Sequence, residues 1–126
     1  MREVYDFLHS VSLWFLATVE NGQPRLRPFN SMHPYRDRLY FLTVRGKAVS
    51  RELHANPRVE LCAVKDGRWL RVEGSAVLDD DPEARANLPE LEELYNPDKG
   101  DVERWYLRNC SAALYEGAEL AKTWRF

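Results

Sequence analysis

The apolar positions of this chain change period several times. Val4, Phe7 and Leu8 recur at helical spacing, and beyond the break at 10–12 the run Leu13-Trp14-Phe15-Leu16-Ala17-Thr18-Val19 is built of strand formers. The pattern predicts a short helix leading into a strand. Glu20-Asn21-Gly22-Gln23 carries an Asn-Gly pair, which accepts positive φ at both central positions of a tight hairpin turn. A second, antiparallel strand is therefore expected over 24–34. Tyr35 to Arg38 is a polar turn, and Leu39-Tyr40-Phe41-Leu42-Thr43-Val44 is a third strand, so the first third of the chain reads as a meander.

From Lys47 to Ala55, the residues Ala48, Val49 and Leu53 favour a helix, which Asn56-Pro57 stops because proline disfavours helical geometry in the residue before it. Residues 58–64 and 69–78 form a second hairpin around Lys65-Asp66-Gly67-Arg68. Asp79 to Asp81, Pro82 and Glu83 suit a helix N-terminus, and Leu88, Leu91, Leu94 and Tyr95 continue it at helical spacing. Residues 96–100 read as a loop, 102–107 as a short helical turn, and 110–114 with 122–126 as closing strand material. Short antiparallel strands in this order bury one face and avoid open edges by curling into a barrel.

Composition narrows the picture. A chain of 126 residues with 44% hydrophobic and 30% charged residues fits one globular domain over 1–126. A net charge of -2 argues against bulk attraction to nucleic acid or an anionic membrane, although a local basic patch still has room for one anionic ligand. Cys62 and Cys110 match neither a redox pair nor a zinc spacing and read as reduced core thiols. The acidic start and the lack of a long apolar run lead us to expect a cytoplasmic protein with no membrane span.

Two segments carry candidate chemistry. In Arg25-Leu26-Arg27-Pro28-Phe29, strand alternation sends Arg25, Arg27 and Phe29 to one face, the two basic stems about 7 Å apart. Such a face suits an anion beside a flat ring; the alternative is a solvated strand face. In Thr43-Val44-Arg45-Gly46-Lys47, two cations sit where a helix N-terminus presents unpaired N–H groups, an arrangement that a phosphate would relieve. The alternative there is a loop with two exposed basic residues. The histidines His9, His33 and His54 form no metal-ligand spacing. His54 is read as a capping or packing residue, and His33, at the end of the second strand, could face a substrate. Trp105 and Tyr106 read as packing groups, and Asp79 to Asp81 as a helix cap with no metal role.

Across Arg25 to Phe29, Phe41-Leu42-Thr43 with Lys47, and His54-Ala55-Asn56-Pro57-Arg58-Val59-Glu60-Leu61, the chain resembles the pyridoxamine 5'-phosphate oxidase-like FMN-binding split barrels, over roughly 10–80 and more loosely beyond. The resemblance implies a mainly β fold, a six-stranded antiparallel split barrel of Greek-key type with short flanking helices. It further implies FMN as cofactor and a homodimer with the flavin at the interface. It maps Arg25, Leu26, Arg27, Pro28 and Phe29 to the segment meeting phosphate and ring, Leu42 and Thr43 to flavin contacts, and Lys47 to a phosphate-binding lysine. Trp69, in the stretch Arg68 to Gly74 that reaches a partner's flavin, stands where the oxidase has a glutamine. Asn30 replaces a substrate lysine and the oxidase's C-terminal segment has no counterpart, which sets vitamin B6 oxidation aside. What remains is an oxidoreductase passing nicotinamide-derived electrons to a small acceptor of unknown identity, its catalytic residues unassigned. The alternatives are a non-catalytic flavin or electron carrier, or a barrel that takes haem or a deazaflavin.

Overall fold

The computed structural model describes residues 1–88 and 101–126. In chain order the elements are α1 (Arg2–Ser10), β1 (Trp14–Glu20), β2 (Gln23–Phe29), β3 (His33–Tyr35), β4 (Arg38–Val44), α2 (Ala48–Ala55), β5 (Arg58–Lys65), β6 (Arg68–Leu78), α3 (Pro82–Asn87), β7 (Val102–Glu116) and β8 (Glu119–Arg125). The fold is mainly β with three short helices, as the pattern implied. All eight strands belong to one antiparallel sheet in the order β2-β1-β5-β6-β7-β4-β3, with β8 attached to β7.

The ends of that order are joined by the chain itself. β2 and β3 lie at opposite edges although only residues 30–32 separate them, so the sheet must curl until its edges face each other. Phe29 at the end of β2 accordingly meets the Phe41 ring edge-on at 5.4 Å, and α2 packs on β1 and β4 along this seam. The interior is filled by Trp14, Leu16, Leu39, Phe41, Leu61, Leu70, Val72 and Trp105, all nearly or fully buried. A smaller cluster of Tyr40, Leu42 and Leu88 packs on the other face of β4, near α3.

Four sequence expectations give way here. The meander does not form: β2 pairs with β1, β3 pairs with β4, and β2 and β3 are not neighbours. The single strand over 24–34 breaks at 30–32, between Pro28 and Pro34, each of which removes a ladder donor. The described residues form eight strands rather than six, because β3 separates from β2 and β8 forms its own hairpin on β7. Residues 102–107 are no helical turn but the first half of the fifteen-residue β7. Both faces of that half are covered, Trp105 in the main core and Tyr106 against Tyr40, so the alternation that marks a half-exposed strand is missing.

Other features follow the sequence closely. Asn21-Gly22 and Asp66-Gly67 all take positive φ, and Asp81 caps α3 by accepting from the Glu83 backbone N–H at 3.0 Å. The ladder between β6 and β7 slips one residue at Gly74, where an added Cβ would lie 3.0 Å from the Arg108 carbonyl oxygen. The predicted helical positions Leu91, Leu94 and Tyr95 and the loop at 96–100 lie outside the described residues. Among those described, no helix is long and apolar enough to cross a membrane.

Candidate functional site

The seam between β2 and β4 opens at the start of α2. β4 runs to Val44, Gly46 takes φ +92°, a conformation that L side chains rarely adopt, and Lys47 becomes the N-cap of α2. Among the described residues no side chain caps this helix, and its first turn holds no acid, which leaves its leading N–H groups and partial positive charge open. The chain thus places an uncapped helix start beside the last residues of β2.

Between them lies a concavity of about 360 Å³, within the range of small-molecule sites. It is lined by Arg27, Pro28, Phe29, Leu42, Thr43 and Lys47, which sequence reading named, and by Leu13, Asn30 and Val49. Leu13 and Val49 were not foreseen as site residues. Val49 lies in the first turn after Lys47, so its neighbourhood was the available signal.

Arg25, Leu26 and Trp69 do not line this concavity. Arg25 instead pairs with Glu20 across the hairpin at 3.1 Å. Leu26 points outward and is 69% exposed. Trp69 lies on the outer face of β6, stacked on Tyr115 at 4.2 Å and donating its indole N–H to the Gly117 carbonyl at 2.9 Å. Phe29 lines the rim yet is engaged below it, stacked on Trp14 at 4.8 Å. His33 is also elsewhere. Its Nε2 is buried without a partner, and burial together with the charge of His9 pushes its imidazole below the usual range.

The cations of the site differ in what they face. Arg27 turns beneath α2, where one nitrogen, Nη1, donates to the Leu16 carbonyl at 3.1 Å and to the Thr18 hydroxyl at 2.8 Å, and Nη2 donates to Glu52 Oε1 at 2.5 Å. Thr18 donates to the same carboxylate oxygen at 2.6 Å. The Glu52 side chain is only 3% exposed, and burial alone would raise its pKa. The hydrogen bonds from Thr18 and Arg27 and the arginine charge outweigh burial and hold it below the ordinary carboxylate range. Arg45 is exposed and lies 3.9 Å from Asp101. Lys47 has no carboxylate partner among the described residues.

A second buried carboxylate fixes the far side of α2. Glu103 of β7 accepts from the Ser50 hydroxyl at 2.6 Å and the Trp105 indole at 3.2 Å, and lies 3.0 Å from His54 Nε2. Burial opposes its charge, but these hydrogen bonds prevail and its pKa is lowered. His54 is thus a packing and tethering residue, edge-on to Trp105 at 5.0 Å. Among the described residues no cluster of His, Cys, Asp and Glu could hold a metal ion.

This geometry can be set beside known proteins. A family model described as pyridoxamine 5'-phosphate oxidase matches residues 1–106. The crystal structure of a NimC/NimA family protein from Clostridium acetobutylicum is similar at 28% identity and a TM-score of 0.86, covering 100% of this chain and 93% of that one. General stress protein 26 from Bacillus anthracis is similar in fold at 17% identity and a TM-score of 0.76, covering 99% of this chain and 97% of its own. A Clostridium acetobutylicum protein related to general stress protein 26 shares the fold at 18% identity and a TM-score of 0.71, with 99% and 93% covered. A search of curated proteins returns no match.

Proposed function

Because the chain belongs to the pyridoxamine 5'-phosphate oxidase family, we propose that it is an FMN-binding flavoprotein that works as a homodimer and moves electrons from a nicotinamide donor to a small oxidised acceptor. The observation that carries this reading is the concavity at the seam, where Lys47, the Thr43 hydroxyl and the open N–H groups of α2 meet one apolar hollow. A phosphate suits the first three by charge and hydrogen bonding. Leu13, Pro28, Leu42 and Val49 suit a flat ring by excluding water. FMN would supply the electron transfer, which these side chains have no means to perform.

The chain's own residues then bind and orient. Lys47 and the α2 N-terminus hold the phosphate end, and the backbone of β2 supports the ring. The dimer is supported by the outer sheet face, where Phe15, Leu26 and Val64 are 42%, 69% and 66% exposed on neighbouring strands. Exposed apolar side chains gathered on one sheet face suit burial against a second copy of the chain. Trp69 shares that face through its pairing with Val64, so in this reading it reaches a flavin held by the other subunit.

The reading is tested by titrating the protein with FMN and with riboflavin, following flavin fluorescence and sedimentation. Saturable FMN binding by a dimer, with weaker riboflavin binding, is expected; equal affinity for both would overturn the phosphate assignment. Oxidation of reduced nicotinamide in the presence of FMN separates an oxidoreductase from a flavin carrier, and the absorbance spectrum separates FMN from haem or a deazaflavin.

A further inference from the structure

The concavity has more positive side chains near it than it has positive charge to offer. Arg25 faces Glu20 at 3.1 Å, Arg45 lies 3.9 Å from Asp101, and Arg27, which lines the hollow, is held by Glu52 at 2.5 Å. Lys47 alone lines the hollow without a carboxylate partner among the described residues. A phosphate near neutral pH carries between one and two negative charges. The site therefore meets it with one free ammonium and a helix end.

The Arg27–Glu52 pair is buried unequally. The Glu52 side chain is 3% exposed and the Arg27 side chain 21%, so water screens the carboxylate poorly while Arg27 keeps some exposure and lines the hollow. A guanidinium has five N–H donors. Leu16, Thr18 and Glu52 occupy three of them, which leaves two. At ligand distance, however, the field of Arg27 is largely cancelled by the full negative charge paired with it at 2.5 Å.

We propose that Glu52 sets the affinity of this site: a buried carboxylate standing against Arg27 as a built-in rival to the ligand's phosphate, so that FMN is held weakly and exchanges freely. FMN is then a co-substrate that comes and goes rather than a resident group. This rests on the flavin reading above, and it assigns Glu52 a role that the family resemblance does not supply.

The experiment is FMN titration of the full-length protein, followed by fluorescence quenching, in the wild type, Glu52→Gln, Glu52→Ala and the double variant Glu52→Gln/Arg27→Gln, each checked for cooperative melting. The wild type should bind with a Kd above about 1 μM. A folded Glu52→Gln or Glu52→Ala protein should bind about tenfold tighter, the effect of freeing one charged hydrogen-bond donor. Arg27→Gln in the Glu52→Gln background should remove that gain, and riboflavin affinity should not follow it. Wild-type binding tighter than about 1 μM, or a folded Glu52 variant that binds FMN no tighter than the wild type, overturns this inference and leaves the flavin reading intact. If neither the wild type nor a folded Glu52 variant binds FMN, the flavin reading falls and takes this inference with it.

Discussion

Replacing Arg27 with Met removes one partner of a buried ion pair and keeps much of the side-chain volume. Among the described residues the Glu52 carboxylate, 3% exposed, would then retain only the Thr18 hydroxyl as a donor. Breaking such a pair costs about 3–5 kcal/mol when the survivor stays charged and dry. Because Arg27 is 21% exposed and Thr18 remains, the lower end applies, about 3 kcal/mol near neutral pH. In a domain of this size that is on the order of 10 °C in Tm.

The pH dependence gives the test its direction. In the wild type the Glu52 carboxyl is held below its ordinary range, so its contribution to stability is present above the unfolded-state pKa and is lost as pH falls through the folded value. Without Arg27, burial is opposed by the Thr18 hydrogen bond and the Arg25 charge but no longer by the paired guanidinium, so the folded-state pKa rises above its wild-type position. The variant is then penalised at neutral pH and relieved as Glu52 takes up a proton. Urea unfolding at about pH 7.5 and at about pH 4.5, the second close to the ordinary glutamate value, should show a large difference between the proteins at the first pH and a much smaller one at the second. A loss below about 1 kcal/mol at neutral pH, or the same loss at both, would refute the reasoning.

Other outcomes are open to measurement. Lys47→Ala should weaken FMN binding by about 1–3 kcal/mol while riboflavin affinity is retained, read by parallel fluorescence titrations; equal losses for both ligands would remove Lys47 from the phosphate. Gly74→Ala should destabilise the fold by about 1–3 kcal/mol, because its Cβ would stand 3.0 Å from a backbone oxygen and 3.2 Å from Cys110 Sγ; an unchanged urea midpoint would contradict this. Dilution below the dimer dissociation constant should release flavin, and a sedimenting monomer that keeps its flavin would argue against a site shared between subunits.

Local chemistry made much of the fold legible. Asn21-Gly22 and Asp66-Gly67 marked their hairpins because few other pairs accept that backbone, and Pro57 marked the end of α2. The site was legible where it depends on sequence neighbours, as at Thr43 and Lys47, or on residues that stay in register, as from Arg27 to Phe29. Strand alternation placed Arg25 and Arg27 on one face but carries no information about Glu20 and Glu52, which neutralise them. Nothing in the sequence around Glu52 marks it out, and its burial follows from where α2 docks. The first half of β7 misread for a related reason: tertiary cover on both faces erased the period that would have announced it.

The walls of the hollow come from β2, at one edge of the sheet, and β4, next to the other edge, joined through residues 30–37 and wedged by one helix. Neither wall has a binding surface by itself, so the pocket exists only once the most distant pairings in the strand order have been made. Ligand capture is thereby coupled to long-range closure of the barrel rather than to any local segment. Whatever occupies the hollow stabilises the finished barrel alone, and partly folded chains gain nothing from its presence.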